Sequence, residues 1–465
     1  MTRNQERIIV GVDIGTTKIC TVVGEVGRDP GLKVLGVGVA PAQGLAKGMV
    51  RDIGEAVRAI SLSLERAERL SGCKIGSACV GVAGSHVSSL NSRGVTSVAR
   101  ADHIVTPDDA RRAVAAARAV TMPEQREILH VLPRSYVLDG HDGIRDPVGM
   151  AGFRLEVETH IVTGATTAVQ NVVGCVHRAG IEVDDLVIQP LASSEAVLSE
   201  QERSLGAVLV DIGGGTTDVA VFMAGNVWHS VVLPVGGQHL TNDLSIVLKV
   251  PVEAAERLKV LYGQVLPRPG LDELWGAVRR RAAPPFQGPA ARPMVEAGGH
   301  QPVRVEVEID QAEPDPDLDP IDGLVDVETF TPGVFQAVSQ TLVSRIMEAR
   351  LEQILNMVAA EIRRSGYDGL LPAGVVLTGG TARLPGIGDL AQRVLNLPVR
   401  VGVPQGISGL TDTLDSPAYA ASVGLALWPA RHPAFIATGA ARPGAGPGAV
   451  PWMSRVTGWL REFLP

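Results

Sequence analysis

The hydrophobic pattern of the chain contains one unit twice: an apolar run that enters a glycine turn and leaves it as a second apolar run. The first copy, RIIVGVDIG followed by TTKICTVVGEV, covers residues 7–26, and the second, GAVLVDIGGGTTDVAVFMAGNV, covers residues 206–227. Both copies are rich in β-branched residues, which favours two strands joined by a turn. Because a whole supersecondary element is repeated, the sequence predicts two related domains.

Helical periodicity is clearest in two long segments outside these units. The segment DIGEAVRAISLSLERAERLSG predicts an amphipathic helix that stops at Gly72. The segment VFQAVSQTLVSRIMEARLEQILNMVAAEIRRSG predicts a longer helix over residues 334–366. Apolar runs such as KIGSACVGVAG and AGVVLTGG predict buried strands between helical segments. This alternation, together with the repeated unit, predicts an α/β fold with two duplicated domains.

Between residues 85 and 164 the pattern changes to short strands around one alanine-rich helix. The segment TPDDARRAVAAARAV predicts that helix, with Thr106 as N-cap and Pro107 at the first position. Asp108 and Asp109 would face the positive helix end. These residues therefore predict a small α+β subdomain inserted into the first domain.

The remaining boundaries follow from proline and glycine content. A proline-rich segment at about 264–327 interrupts the second domain and predicts an insertion or long loop. Another segment rich in Pro, Gly and Ala lacks periodicity and predicts a flexible linker. We therefore assign the first domain to 1–84 and 165–205, the inserted subdomain to 85–164, the second domain to 206–428, the linker to 429–450 and a final helix to 451–465.

Composition and charge exclude several classes of protein. The formal net charge of −8 over 465 residues argues against a nucleic-acid partner, which would require a basic stripe. The four cysteines show neither a CxxC pair nor zinc spacing, which favours a reduced, cytoplasmic protein. The N-terminus does not resemble a signal peptide, and no apolar run reaches the roughly 18 residues of a membrane span.

The two glycine turns have the chemistry of a polyphosphate site. A glycine turn brings backbone N–H groups close to phosphate oxygens, and threonine hydroxyls add further donors. A carboxylate would repel phosphate, so Asp13 and Asp211 fit only if a cation such as hydrated Mg²⁺ lies between them and the ligand. The chain lacks the GxxxxGK[ST] motif, and no GxGxxG motif follows a first strand, so neither a P-loop nor a Rossmann site is predicted.

A third glycine loop and one helix complete the predicted cleft. In VVLTGGTARLPG, Gly379 and Gly380 end a strand and would let a purine lie against bare backbone. In VEAAERLKVLYG, Glu256 and Lys259 lie three residues apart and share a helix face, so they could hold ribose hydroxyls. The alternative is that these two residues form an ordinary solvated ion pair.

The last segment, VPWMSRVTGWLREFLP, has an amphipathic pattern. At about 100° per residue its apolar residues share an arc of roughly 140°. Tryptophan favours the membrane interface, so an anchor on anionic lipid is predicted, with docking on the chain's own domain as the alternative. The residues of the arc are Trp452, Met453, Val456, Trp459, Leu460, Phe463 and Leu464.

These motifs carry a resemblance to a known superfamily. The segments DIGTTK, DIGGGTTD and VVLTGGTARLPG resemble the phosphate-1, phosphate-2 and adenosine motifs of the actin, sugar-kinase and DnaK-type chaperone superfamily. Within it, the chain resembles the FtsA family of bacterial cell-division actin homologues, through LHVLPRSYVLDGHDGIRDPVGMAGFRLEVETHIVTG, QPLASSEAVLSEQERSLGAVLVDIGGGTTD and GISGLTD. The resemblance spans roughly residues 8–428, with the 264–327 segment longer and divergent. It implies an actin-like fold in which two duplicated ATPase domains enclose a nucleotide cleft.

The resemblance implies roles for individual residues. Asp13 and Asp211 would hold hydrated Mg²⁺, while Glu256 and Lys259 would bind the ribose of ATP. Gln189 lies where relatives carry a residue that positions the attacking water, and since glutamine cannot take a proton, at most weak ATPase activity is implied. Alternatively, Gln189 is a polar residue at a strand end. The other nucleotide-binding residues would be Gly15, Thr16, Thr17, Lys18, Gly213, Gly214, Gly215, Thr216, Thr217, Gly236, Gly237, Gln238, Gly379, Gly380 and Thr381.

The resemblance also implies partners and a location. A member of this family would self-assemble into a filament, tether the tubulin-like FtsZ ring to the cytoplasmic face of the inner membrane at the division site, and recruit later division proteins. A PilM-like pilus-assembly protein and a small-molecule kinase remain alternatives on the same fold. The sequence shows no convincing catalytic Asp for a kinase, and no separate substrate-binding domain for a chaperone after residue 428.

Overall fold

The computed structural model describes residues 7–26, 31–265, 323–329 and 337–432. The predicted linker from residue 433 onward, the final helix at 451–465 and residues 266–322 of the insertion lie outside the described residues. Among the helices of the described part, none is long and apolar enough to cross a membrane.

The first domain is built on a six-stranded sheet. Its strand order is β11-β6-β1-β2-β3-β19, in which β1 and β2 form an antiparallel hairpin and β6 lies parallel to β1. The strands are β1 Arg7–Ile14, β2 Lys18–Val26, β3 Leu32–Pro41, β6 Ser77–Val82, β11 Glu182–Ile188 and β19 Ile407–Gly409, with a small hairpin of β4 Leu45–Ala46 and β5 Met49–Val50. The helices are α1 Ile53–Ser71, α3 Thr166–Arg178, α4 Gln189–Val197 and α10 Ala420–Arg431.

The second domain repeats the core of this arrangement. Its strand order is β14-β13-β12-β17-β18, so a β12–β13 hairpin again has a parallel strand on one side and an antiparallel strand on the other. The strands are β12 Ala207–Ile212, β13 Thr217–Met223, β14 Asn226–Leu233, β17 Val375–Thr378 and β18 Val399–Val401, with a separate pair of β15 Leu324–Asp326 and β16 Ala337–Ser339. The helices are α5 Glu200–Leu205, α6 Gly237–Leu248, α7 Val252–Tyr262, α8 Gln340–Ser365 and α9 Ile387–Leu395.

The inserted subdomain has a sheet of its own. Four antiparallel strands in the order β7-β10-β8-β9 pack against one helix. Thr106 caps that helix, as its sequence predicts, and it also forms a reciprocal capping box with Asp109. The elements are β7 Ser88–Ser97, α2 Pro107–Arg118, β8 Arg126–Leu138, β9 His141–Ile144 and β10 Arg154–Ala165.

Two expectations differ from the structure. The long helix predicted from residue 334 begins only at Gln340, because the preceding residues 337–339 pair as a strand with β15 and Ser339 caps the helix. The second domain was expected to extend to residue 428, but two of its last elements belong to the first domain. Strand β19 pairs with β3, and α10 packs on α4 and β1. The last described residues therefore return to the first domain.

The inserted subdomain contacts the second domain through polar side chains. The His160 ring lies between Asn91 and the Ser230 hydroxyl of β14, at 2.8 Å from each side chain. The Arg134 guanidinium lies over the Trp228 ring of the same strand, 4.3 Å from its centroid. An insertion within the first domain thus meets the second domain, so it joins the two halves of the molecule.

The buried His160 predicts a measurable pH dependence of stability. Burial, followed by the charges of His229 and Arg134, lowers the pKa of His160 to about 3 from 6.5. The stability that neutral His160 contributes is present above pH 6.5 and is lost as pH falls, because only the unfolded chain then takes up the proton. His160→Gln removes this titration. We expect the stability advantage of wild type over the variant to shrink by about 1.4 kcal/mol per pH unit below 6.5 in urea unfolding. An advantage that stays constant from pH 7.5 to 5 would contradict the prediction.

Candidate functional site

The two predicted turns face each other and have the same internal geometry. In the first, the Gly15 N–H donates to the Lys18 carbonyl at 3.1 Å, and in the second the Gly213 N–H donates to the Thr216 carbonyl at 2.9 Å. Each turn joins the two strands of a central hairpin, β1–β2 or β12–β13. The duplicated sequence therefore folds into duplicated turns, one from each domain.

The longer glycine run of the second turn has a steric reason. A Cβ atom on Gly214 would lie 2.4 Å from Cγ2 of Thr17, and one on Gly215 would lie 2.7 Å from Oγ1 of Thr16. Both distances are too short for a real side chain. The Thr16 and Thr17 side chains of the first turn therefore lie directly against the backbone of the second turn, and a larger residue at Gly214 or Gly215 would force them to move.

A cavity of about 80 Å³ lies where the turns meet. It brings together predicted site residues from all three glycine loops and both domains. Its lining includes Asp13, Gly15, Thr16, Thr17, Lys18, Gln189, Asp211, Gly213, Gly214, Thr216, Gly379 and Gly380. The predicted residues that do not line it are Gly215, Thr217, Gly236, Gly237, Gln238, Glu256, Lys259 and Thr381.

Asp13 and Asp211 are both buried in this cavity. Asp13 accepts hydrogen bonds from the Gln189 amide at 2.9 Å and the Ser422 hydroxyl at 3.0 Å. Asp211 accepts one from the Ser193 hydroxyl at 2.5 Å. Burial raises the pKa of Asp13, and it raises that of Asp211 to about 6 with a further contribution from the Asp13 charge. The two carboxylates therefore repel each other, and a cation would relieve that repulsion.

A third buried carboxyl lies beside them. Asp218 is cross-strand partner to Asp211, and burial followed by the Asp211 charge raises its pKa to about 8. Its Oδ2 accepts from the Thr216 hydroxyl at 3.1 Å, while its buried Oδ1 has no hydrogen-bond partner among the described residues. The motif DIGGGTTD contains Asp218, but sequence reasoning gave it no role.

The donor set of the cleft fits a hydrated divalent cation. Carboxylate oxygens are the ligands that Mg²⁺ prefers, and it is usually held through one or two carboxylates while keeping several waters. Within the described residues no group of three or more His, Cys, Asp or Glu is placed to hold a metal directly. The Lys18 ammonium donates to the Ala418 carbonyl at 2.6 Å and lies over the Tyr419 ring. Asp13 and Asp211 are therefore suited to a cation that is bound through its water shell.

The second-domain helices support the second turn from behind. The N–H groups of Gly237 and Gln238 at the start of α6 donate to the carbonyls of Gly213 and Gly214. Lys259 on α7 donates to Glu256 at 2.6 Å and to Thr241 at 2.8 Å, and it lies 3.3 Å from the Gly237 carbonyl. Glu256 and Lys259 therefore form an ion pair attached to the cleft wall instead of an isolated surface pair.

Two serines in the site have no motif of their own. Ser193 lies one helical turn after Gln189 on α4, a spacing that could have identified it as a cleft residue. Ser422 lies on α10, 409 residues from Asp13, which accepts its hydrogen bond. The alanine-rich, almost wholly buried sequence of α10 has no polar pattern that indicates this contact.

Two family models match the chain. The model described as cell division protein FtsA matches residues 208–424, and the model of the SHS2 domain inserted in FtsA matches residues 84–163. The second match coincides with the inserted subdomain.

Curated relatives match over nearly the whole chain. Cell division protein FtsA of Pseudomonas aeruginosa is 39% identical over 91% of this chain and 89% of its own length. The Bacillus subtilis protein of the same name is 36% identical over 92% and 85%, and that of Escherichia coli K12 is 32% identical over 98% of both chains.

Solved structures confirm the actin-like fold and its duplicated domains. A PilM–PilN type IV pilus biogenesis complex aligns with a TM-score of 0.57 at 16% identity, over 91% of this chain and 98% of the other. MreB 5 of Spiroplasma citri bound to AMPPNP aligns with a TM-score of 0.50 at 11% identity, over 94% and 99%. The pilus-assembly alternative is not favoured, since its relative shares far less sequence than the division proteins do. The chain belongs to the FtsA family of actin-like cell division proteins.

Proposed function

We propose that the chain binds ATP with Mg²⁺ between its two domains and that this binding favours self-assembly. The observation that carries the proposal is the meeting of two matching glycine turns, one from each domain, beside two buried carboxylates. Backbone N–H groups and the Thr16, Thr17 and Thr216 hydroxyls would contact the phosphates from both sides. The MreB 5 relative with the same fold was bound to AMPPNP, which agrees with this assignment.

The cavity between the turns is smaller than the ligand. Small-molecule pockets enclose roughly 300–1,000 Å³, whereas this cavity measures about 80 Å³. We expect the two domains to move apart when ATP enters, and a bound polyphosphate would then bridge them. A ligand that contacts both domains favours the domain arrangement in which both sets of contacts form. The nucleotide would thereby select the conformation that assembles.

Bound Mg²⁺ would offset the charge of the polyphosphate and of Asp13 and Asp211. Gln189, Ser193 and Ser422 hold those two carboxylates in position through hydrogen bonds. Gln189 would also orient a water near the terminal phosphate, but its amide cannot accept that water's proton. We therefore expect ATP to act mainly through binding, with at most weak hydrolysis.

The cellular role follows from the family and the final segment. We propose that the assembled chain tethers the FtsZ ring to the cytoplasmic face of the inner membrane at the division site and recruits later division proteins. The apolar arc of residues 451–465, which includes Trp452 and Trp459, would lie in an anionic membrane surface. One short helix binds weakly, so firm attachment requires many copies on one polymer.

Removal of residues 451–465 tests the tether. We expect full-length protein with ATP and Mg²⁺ to co-sediment with vesicles containing anionic lipid, and the truncated chain to remain in the supernatant. Trp459→Glu in the full chain should weaken sedimentation similarly, because a charge enters the apolar arc. Ser454→Glu, on the polar side, is the matched control and should weaken it much less. Lipid binding that survives the truncation would contradict the tether, while nucleotide binding should be unchanged in all variants.

A further inference from the structure

A small hairpin of the first domain carries a lysine to the second glycine turn. Strands β4 and β5 are joined by the two-residue turn Lys47–Gly48, and Ala46 pairs with Met49. Both turn residues have left-handed backbone, with φ of 50° at Lys47 and 74° at Gly48. This is the geometry of a type I′ turn, in which asparagine, aspartate or glycine is normally preferred at the first position.

Backbone contacts hold this hairpin in place. The Gly44 carbonyl accepts from the N–H groups of Arg51 and Asp52 at 2.7 and 3.1 Å. A Cβ atom on Gly48 would lie 2.5 Å from the Ala83 backbone, so the turn rests directly on the first domain. The position of Lys47 is therefore set by the domain and not by a free loop.

Lys47 lies at the edge of the cleft, and its side chain is exposed. A Cβ atom on Gly215 would lie 3.1 Å from the Lys47 Cα, which places the lysine against the second glycine turn. Burial lowers the pKa of His239 at the start of α6, and the Lys47 charge contributes in the same direction. The Lys47 side chain makes no ion pair or hydrogen bond within the described ranges.

The contacts along the second turn indicate which end of a nucleotide Lys47 would meet. The third glycine loop, which carries Thr381, reaches this turn at Gly213. The Gly213 carbonyl accepts a hydrogen bond from the Thr381 hydroxyl at 3.3 Å. Lys47 reaches the same turn two residues later, at Gly215, from the opposite domain. Thr381 and Lys47 therefore lie at different ends of the turn, and a nucleotide whose nucleoside lies on the Thr381 side would bring its last phosphate nearest to Lys47.

We propose that Lys47 binds the terminal phosphate of a nucleoside triphosphate and so distinguishes it from the diphosphate. The proposal rests on the proposed function of the cleft and adds a residue from outside its glycine loops. An ammonium is a strong phosphate ligand, and in this placement the third phosphate would approach it while a diphosphate would end short of it. Phosphate binding would also explain why a lysine occupies a turn position whose left-handed backbone favours asparagine, aspartate or glycine.

Titration of the full-length protein with ATP and with ADP, each with Mg²⁺, tests the proposal. Lys47→Asn keeps a residue suited to the left-handed turn and removes the charge. We expect ATP affinity to fall at least about fivefold and ADP affinity to change less than about twofold. Lys47→Arg keeps the charge and should restore most of the preference for ATP.

Lys249 provides a matched control. It is also an exposed lysine with left-handed backbone, φ 55°, but it caps the far end of α6, about 18 Å from the start of that helix. Lys249→Asn should leave both affinities unchanged. Unchanged ATP affinity in Lys47→Asn, or equal losses for ATP and ADP, would overturn the role of Lys47. Wild-type protein without measurable ATP affinity would instead overturn the proposed function itself.

Discussion

Asp211→Asn is expected to lower the affinity for Mg²⁺–ATP by about 10- to 100-fold, the usual effect of losing a group that orients a metal through its outer shell. Asp211 is buried at the meeting of the two turns, and its neighbouring Asp13 carboxylate cannot alone offset the cation. Without magnesium the loss should be much smaller, because the substitution also removes a negative charge that repels phosphate. Isothermal titration calorimetry with and without EDTA separates the loss of magnesium binding from the relief of charge repulsion. ATP-dependent sedimentation of polymers should fall in parallel with the affinity.

Asp211→Asn should affect the free energy of unfolding differently from the ATP affinity. Because burial and the Asp13 charge both oppose ionisation of Asp211, the asparagine variant should unfold no more easily than wild type. Asp389→Asn removes an exposed carboxylate at the start of α9 in the same domain and serves as the matched control. Wild-type affinity and assembly in Asp211→Asn would refute the assignment of this residue. An equal loss of ATP affinity in Asp389→Asn would show that the affinity depends on the overall charge of the protein and not on this site.

The hairpins and their turns could be predicted from sequence because β-branched apolar runs and glycine turns are local signals. The residues of β1, β2, β12 and β13 form continuous apolar runs around two similar glycine motifs. The predicted stop of α1 at Gly72 is confirmed by its left-handed cap. The inserted subdomain was also predicted, since Thr106 and Pro107 mark the start of its helix within two residues. Local sequence patterns were therefore sufficient to predict most of these elements.

The rest of the site depends on contacts between distant segments. Ser422 reaches Asp13 only because α10 returns to the first domain, and no local pattern indicates that return. Lys47 belongs to a hairpin of two-residue strands, too short to show periodicity. His160 and Arg134 look like ordinary strand residues until β14 of the second domain is placed beside them. These residues are defined by packing between domains, which a single sequence does not display.

Gly424→Ala is expected to cause the largest loss of stability, because α10 and α4 are in backbone contact at this residue. A Cβ atom on Gly424 would lie 1.7 Å from the Ala192 carbonyl oxygen, and the atom concerned is backbone that no rotamer change can move. The two helices must therefore separate within a fully buried core. Overpacking of this kind costs about 1–3 kcal/mol and sometimes more, and the absence of a flexible neighbour places this site at the upper end. The free energy of unfolding in urea measures it.

Gly174→Ala is the matched control, since Gly174 lies inside helix α3 and a Cβ atom there would meet nothing within 4 Å. That change should stabilise the protein by roughly 0.5–1 kcal/mol, the usual gain from replacing a helical glycine. The two variants thus predict opposite signs for the same substitution. Gly424→Ala should also weaken ATP binding, because α4 and α10 carry Gln189 and Ser422, which both donate to Asp13. If Gly424→Ala were as stable as wild type, or if it lost stability while ATP affinity stayed intact, the coupling of this helix pair to the cleft would be wrong.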